Sequence, residues 1–181
     1  MSTNRERSFI AQVRCDEIAM TFFGSDRIPP SPGANIISTF EAYNPVTESM
    51  EPLGSRNPPI LTLYFEYIDN AYRLQILTRP YDKQYVSKNS GTTLMASPKI
   101  GGGTTLFNLL DSSNTLITLD DLSSDNATIH LQIRHAGIIK KALGTPIYKY
   151  YFHDAIGDIA TFNLRIIERN ALAPESVDTY N

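Results

Sequence analysis

Tryptophan is absent from this chain, and cysteine occurs once, at Cys15. A single thiol excludes an intramolecular disulfide, and it cannot build a structural zinc site by itself. A buried or half-buried free thiol is expected. Without Trp, any aromatic platform for a ligand falls to Tyr, of which there are 10. An excess of one charge is also missing: 16 basic and 19 acidic residues give a net charge of −3. With no basic stripe to neutralise phosphates, no nucleic-acid partner is expected. No run approaches the roughly 18 apolar residues of a membrane-crossing helix, so no membrane insertion is expected. The polar opening MSTNRERS leads into no apolar leader. It predicts a cytoplasmic protein, or one exported without a conventional signal peptide.

Helical periodicity is lacking too. In its place stand short segments rich in Ile, Val, Thr, Tyr and Phe, which favour strands. Strands are expected at Ser8–Val13, Ile18–Phe23, Asn35–Tyr43, Ile60–Ile68 and Tyr72–Thr78. The stretch 84–111 adds three more, at Tyr85-Val86, Thr93–Ala96 and Thr104–Leu110. Leu116–Leu119, Thr128–Ile133, Ile138–Ala142, Ile147–Phe152 and Ala160–Ile167 complete the set. Pro29, Pro30 and Pro32 mark a loop, and Pro45, Pro52, Pro58 and Pro59 mark a long irregular excursion over 44–59. Residues 1–7 are expected to be flexible, 8–168 to form one all-β domain, and 169–181 to be a polar tail.

A closing phrase of Phe, a polar residue and then apolar residues recurs at Phe65, Phe107 and Phe162. Tyr72–Ile76 and Thr115–Leu119 follow the first two at similar offsets, as do Gln84–Val86 and Ile129–Leu131. A unit repeated three times, with four strands each, is expected. Tyr85-Val86-Ser87, Leu94-Met95-Ala96 and Thr105-Leu106-Phe107-Asn108-Leu109 then carry a resemblance to the β-trefoil fold, in the cadence of its fascin-like, cytokine-like and lectin members. His130–Ala142 repeats part of that cadence, with Ala142 matching Ala96. The resemblance covers 60–168 and implies a β-trefoil with a Pro-rich insertion in its first unit. Trefoils include lectins, protease inhibitors, cytokines, actin bundlers and receptor-binding parts of toxins, so the fold selects no function by itself. The Gln-x-Trp signature of ricin-type lectins is not present.

The polar residues offer no catalytic set. His130 and His135 are an odd number apart and point to opposite faces of a strand. His153 and Asp154 are adjacent and point apart. Gly101–Gly103 is followed by no Lys-Ser or Lys-Thr, so a β-turn is expected there and not a phosphate cradle. Asp120, Asp121 and Asp125 match no calcium-loop spacing. No enzyme activity, cofactor or metal is expected. The residues suited to a ligand are Tyr81, Asp82 and Tyr85 in one turn, with Asp111 and Asn114 in another. Such residues can stack on a sugar ring and hydrogen-bond its hydroxyls. The expected function is a non-catalytic binding module for a glycan, lectin-like. The alternatives are a protease inhibitor acting through 44–59 or a protein-interaction subunit of a toxin or cytoskeletal assembly. A glycan or protein partner and a homo-oligomer are all compatible with these residues.

Overall fold

The computed structural model describes residues 5–22, 36–39, 41–44, 46–52, 60–90, 92–143 and 150–174. No α-helix occurs among them, so none is long and apolar enough to cross a membrane. Six strands close on themselves. In chain order these are β1 (Phe9–Cys15), then β6 (Thr62–Ile68), β7 (Ala71–Ile76), β10 (Leu106–Leu110), β12 (Asn126–Ile133) and β16 (Phe162–Arg169). The labels skipped in this order belong to shorter strands given below. Each of the six pairs antiparallel with the next, and β16 pairs with β1 to complete the barrel.

The strands form because apolar and polar residues alternate with the side-chain period of 2. In β7, Tyr72, Leu74 and Ile76 are buried while Arg73 and Gln75 are partly exposed; in β12, Ile129, Leu131 and Ile133 repeat that pattern. The inward residues meet in one core. At one end Phe9 stacks on Phe65 with ring centroids 4.4 Å apart, and Tyr72 packs edge-on against Phe9, Phe65 and Tyr67. Tight turns fit the strand twist. Asp69 and Asn70 join β6 to β7 with φ of 49° and 62°, the left-handed pair that a two-residue hairpin favours.

Three hairpins lie at the other end of the barrel. They are β2 (Ile18–Phe22) with β3 (Ile37–Thr39), β8 (Tyr85–Lys88) with β9 (Leu94–Ser97), and β13 (Lys140–Leu143) with β14 (Tyr150–His153). They join one another pairwise: Tyr151 pairs with Ser38, Ile36 with Met95, and Thr93 with His153. The Ser38 hydroxyl donates to the Tyr150 carbonyl at 2.6 Å within this junction. The remaining strands are additions: β4 (Glu41–Asn44) with β5 (Ser49–Pro52) as a separate hairpin, β11 (Leu116–Ile117) against β10, and β15 (Asp158–Ile159) against β13.

The all-β expectation holds, and most expected strands are present within a few residues. The recurrence of Phe65, Phe107 and Phe162 is not a match in register. Gln12, Gln75 and Gln132 lie in β1, β7 and β12, opposite Arg165, Tyr64 and Asn108 of β16, β6 and β10. In that frame Phe65 faces Leu74, Phe107 faces Ile133 and Phe162 faces Cys15, so the three Phe are not equivalent. Thr115–Leu119 does not match Tyr72–Ile76; that place belongs to β12. Ile129–Leu131 lies in the barrel strand β12, whereas Gln84–Val86 leads into the hairpin strand β8. Ala142 lies in β13, the leading strand of its hairpin, and Ala96 in β9, the returning strand of another. Sequence spacing misled because the connections between the strands differ in length.

Local expectations also shift. Gly102–Thr105 is a 3-10 turn and not a β-turn. The excursion over 44–59 begins as the β4–β5 hairpin, and 53–59 lies outside the described residues, as do the proline loop 24–33 and the tail 175–181. The boundaries at 8 and 168 are each extended by contacts. Arg7 bonds Asp120 and Tyr67, and Ala171 is buried with its N–H donating to the Ser8 carbonyl.

Phe9 sits at the centre of the aromatic cluster with no exposed surface. Phe9→Ala is expected to lower the unfolding free energy by about 3–5 kcal/mol. Ile167→Ala, at a side chain 52% exposed, is expected to cost less than about 1 kcal/mol. Urea titration of both variants checks the contrast.

Candidate functional site

The barrel register separates the expected ligand residues. Tyr81, Asp82 and Tyr85 follow the far end of β7. Because Phe107 lies opposite Tyr72 on an antiparallel strand, Asp111 and Asn114 lie beyond the beginning of β7. Six strand residues at about 3.3 Å each put roughly 20 Å between the two groups. They do not form one site.

Within each group the side chains are already engaged. Tyr81 tilts onto Phe22 with centroids 4.4 Å apart and packs on the core, and burial raises its phenol pKa. Tyr85 receives the Arg73 guanidinium 5.6 Å from its ring centroid, and Arg73 in turn donates twice to one oxygen of Glu66. Asp82 is half-buried in the intervening turn. Asp111 Oδ1 accepts from the Ser113 and Thr115 N–H groups at 2.8 and 2.9 Å, holding its own loop. Asn114 takes a left-handed φ of 61° and its Oδ1 meets His130 Nδ1 at 3.0 Å. The three aspartates weighed for calcium are likewise apart in their bonding: Asp120 with Arg7, Asp121 capping Thr118, and Asp125 with Arg169. Among the described residues, no three His, Cys, Asp or Glu side chains converge where a metal ion would sit. Cys15 is buried and in no disulfide, as expected.

His153 and Asp154 form a fastening between two of the three hairpins. Asp154 Oδ2 pairs with Lys88 Nζ of β8 at 2.9 Å, and His153 Nδ1 lies 3.4 Å from Thr92 Oγ1. Burial lowers the His153 pKa, with Asp154 opposing.

Two hollows compete for a ligand. One, of about 270 Å³, lies at the turn end, between Arg7, Tyr67, Asn70 and Leu116. Its central hydroxyl is engaged on both sides: Tyr67 Oη accepts from Arg7 and donates to Asn70 Oδ1, each at 3.0 Å. The other is a groove of about 280 Å³ on the barrel wall, lined by Gln12, Arg14, Glu17, Asn126, Thr128, Asn163 and Arg165. These residues alternate with core residues of β1, β12 and β16, so they point outward. Register arranges them in two rows across three strands. Gln12, Arg165 and Asn126 make one row; Arg14, Asn163 and Thr128 make the other. The floor is anchored where Asn163 Oδ1 accepts the Glu17 N–H at 2.8 Å, which holds the β1–β2 turn against β16.

In the sequence the groove is visible only as polar residues two apart in QVR, NAT and NLR, since alternation alone does not say which strands become neighbours.

A lowered His153 pKa means that the unfolded chain binds more protons as pH falls below about 6.5. The stability contributed by neutral His153 is complete above that pH and is lost as pH falls through its lower folded value. The urea midpoint is therefore expected to drop between pH 7.5 and pH 5.5, and to drop less in His153→Gln.

Compared with known proteins, the chain matches no protein-family model, no curated protein and no solved structure.

Proposed function

We propose that the chain is a β-trefoil that acts as a non-catalytic carbohydrate-binding module, with the groove on β1, β16 and β12 as its saccharide site. Support for the trefoil comes from a six-strand ring, three mutually joined hairpins at one end, and the threefold placement of Gln12, Gln75 and Gln132. The β4–β5 hairpin is then the insertion in the first unit.

The observation that carries the saccharide site is the double row of polar side chains on a rigid wall, all but Thr128 ending in a planar amide or guanidinium group. Amides and guanidinium groups offer in-plane donors and acceptors that match neighbouring hydroxyls on a sugar ring. Strands hold such groups more firmly than loops do. Recognition here uses hydrogen bonds, since the aromatic platforms at Tyr81 and Tyr85 are occupied by Phe22 and Arg73.

A second function has its own observation. The β4–β5 hairpin is a sheet separate from the barrel, and Val46 at its tip is 89% exposed. That favours an inhibitor or protein-docking role through the hairpin.

A glycan array separates the two. Binding of wild-type protein to a saccharide, weakened roughly tenfold by Asn163→Ala and unchanged by Val46→Ser, is the expected result. Silence on every glycan, with protease or protein binding that depends on Val46, would sink the saccharide site.

A further inference from the structure

The charge in the groove narrows the kind of saccharide. Five cations elsewhere have a carboxylate at 2.6–2.9 Å: Arg7 with Asp120, Arg73 with Glu66, Lys88 with Asp154, Lys141 with Asp16 and Arg169 with Asp125. Among the described residues Arg14 and Arg165 have none, as is also true of Arg79, Lys83, Lys99, Arg134 and Lys140; what sets Arg14 and Arg165 apart is that both line one groove. Arg14 makes only a long contact, 3.4 Å, to the Glu17 backbone carbonyl, and no hydrogen bond or ion pair holds the Arg165 guanidinium among the described residues.

Their placement brings the two together. Arg14 lies opposite Asn163, and Arg165 is two residues further along the same strand, on the same face. Such diagonal neighbours have backbones about 7–8 Å apart, within the reach of two long side chains that converge on one group. Gln12 and Asn126 flank Arg165 in its row, and Thr128 lies beyond Asn163 in the other. A pair of guanidinium forks set among amides matches an oxyanion carried on a hydroxyl-rich ring. The forks grip the oxyanion in plane, and the amides take the hydroxyls. Among the described residues, Glu17 is the one carboxylate lining the groove. Its backbone is pinned to Asn163, and its side chain works against an anionic guest.

We propose that the groove takes an anionic saccharide, bearing a uronate carboxylate or a sulfate ester, clamped between Arg14 and Arg165. This rests on the saccharide site proposed above. Charge in the ligand then adds affinity that salt screens, whereas a neutral sugar would bind with little salt dependence.

The test is titration of the intact protein with oligogalacturonate, with dextran sulfate, with neutral oligosaccharides and with inorganic sulfate, at two salt concentrations. Oligogalacturonate or dextran sulfate is expected to bind, and which of them binds identifies the anion. Arg14→Gln and Arg165→Gln are each expected to weaken that binding roughly tenfold. Arg165→Lys should recover only part of the loss, because it keeps the charge and loses the fork. Glu17→Gln should tighten binding severalfold, a gain that a damaged fold cannot produce. Arg134→Gln, at a cation outside the groove, should change nothing.

Neutral oligosaccharides bound as tightly as charged ones, with both Arg variants unaffected and Asn163→Ala still defective, would overturn the anionic clamp and leave the saccharide site standing. Equal competition by inorganic sulfate would make this a general anion site and overturn the ring specificity. A wild-type protein that binds none of the saccharides removes the site itself.

Discussion

Closure of the barrel at β1 is the constraint on which the rest of the structure depends. β1 pairs with β16 along one edge and with β6 along the other, so the first strand of the chain is joined to the last. A closed ring satisfies backbone groups on every strand and removes the open edges that would otherwise recruit another chain. It also decides direction. Once β1 is held on both sides, Phe9, Ala11, Val13 and Cys15 face inward with almost no exposure, and Gln12 and Arg14 face outward. The register slips between Ile10 and Ala11 along β16. Next to it, Ile10 turns to a separate apolar cluster with Tyr64, Leu77 and Ala171. The outer wall of the barrel is thus covered at one place and left polar at another.

The two ends of the barrel are finished by different chemistry. At the turn end, polar pairs do the joining. Arg7 reaches Asp120 and Tyr67, Tyr72 accepts the Leu119 N–H at 3.0 Å, and Arg169 reaches Asp125 and the Ser124 carbonyl. Exposed ion pairs contribute little stability, so their effect is chiefly to set the path of the long connection from β10 to β12. The buried Tyr72 phenol is different. Burial drives its pKa upward, and the Leu119 bond supplies the partner that a buried hydroxyl needs. At the hairpin end, strand pairing and buried small residues do most of the work, with the Lys88–Asp154 pair fastening two of the hairpins. Ser38 and Thr39 have no exposed surface there. Gly157 takes a φ of +100°, and a Cβ on it would collide with the Lys141 carbonyl, so that turn closes against β13 only with glycine.

Polar side chains can be sorted by whether the fold uses them. Asp111 holds its own turn, Tyr81 completes the core under Phe22, and Arg73 lies between Glu66 and Tyr85. Those residues looked suited to a ligand because their chemistry suits one, but the same chemistry suits turns and cross-strand pairs. In the outward rows of β1, β12 and β16, Asn163 holds the Glu17 turn, while the Arg14 and Arg165 guanidinium groups have no carboxylate partner among the described residues, which is the basis for assigning them to an anionic sugar.

The sequence by itself determined the class of structure and most of its strands, because alternation with period 2 and the scarcity of helical spacing are local properties. It also carried Gln12, Gln75 and Gln132, whose like placement in β1, β7 and β12 shows only once their pairings are known. What it could not determine was phase and neighbourhood. Connections of unequal length, from the two residues Asp69-Asn70 to the stretch between β10 and β12, break any fixed offset, so Phe65, Phe107 and Phe162 align by eye and not in register. Only tertiary structure decided that Tyr81–Tyr85 and Asp111–Asn114 lie at opposite ends of a barrel. Only it placed Arg14 beside Arg165, residues far apart in the chain, because pairing of the first strand with the last is a long-range event that no local pattern encodes.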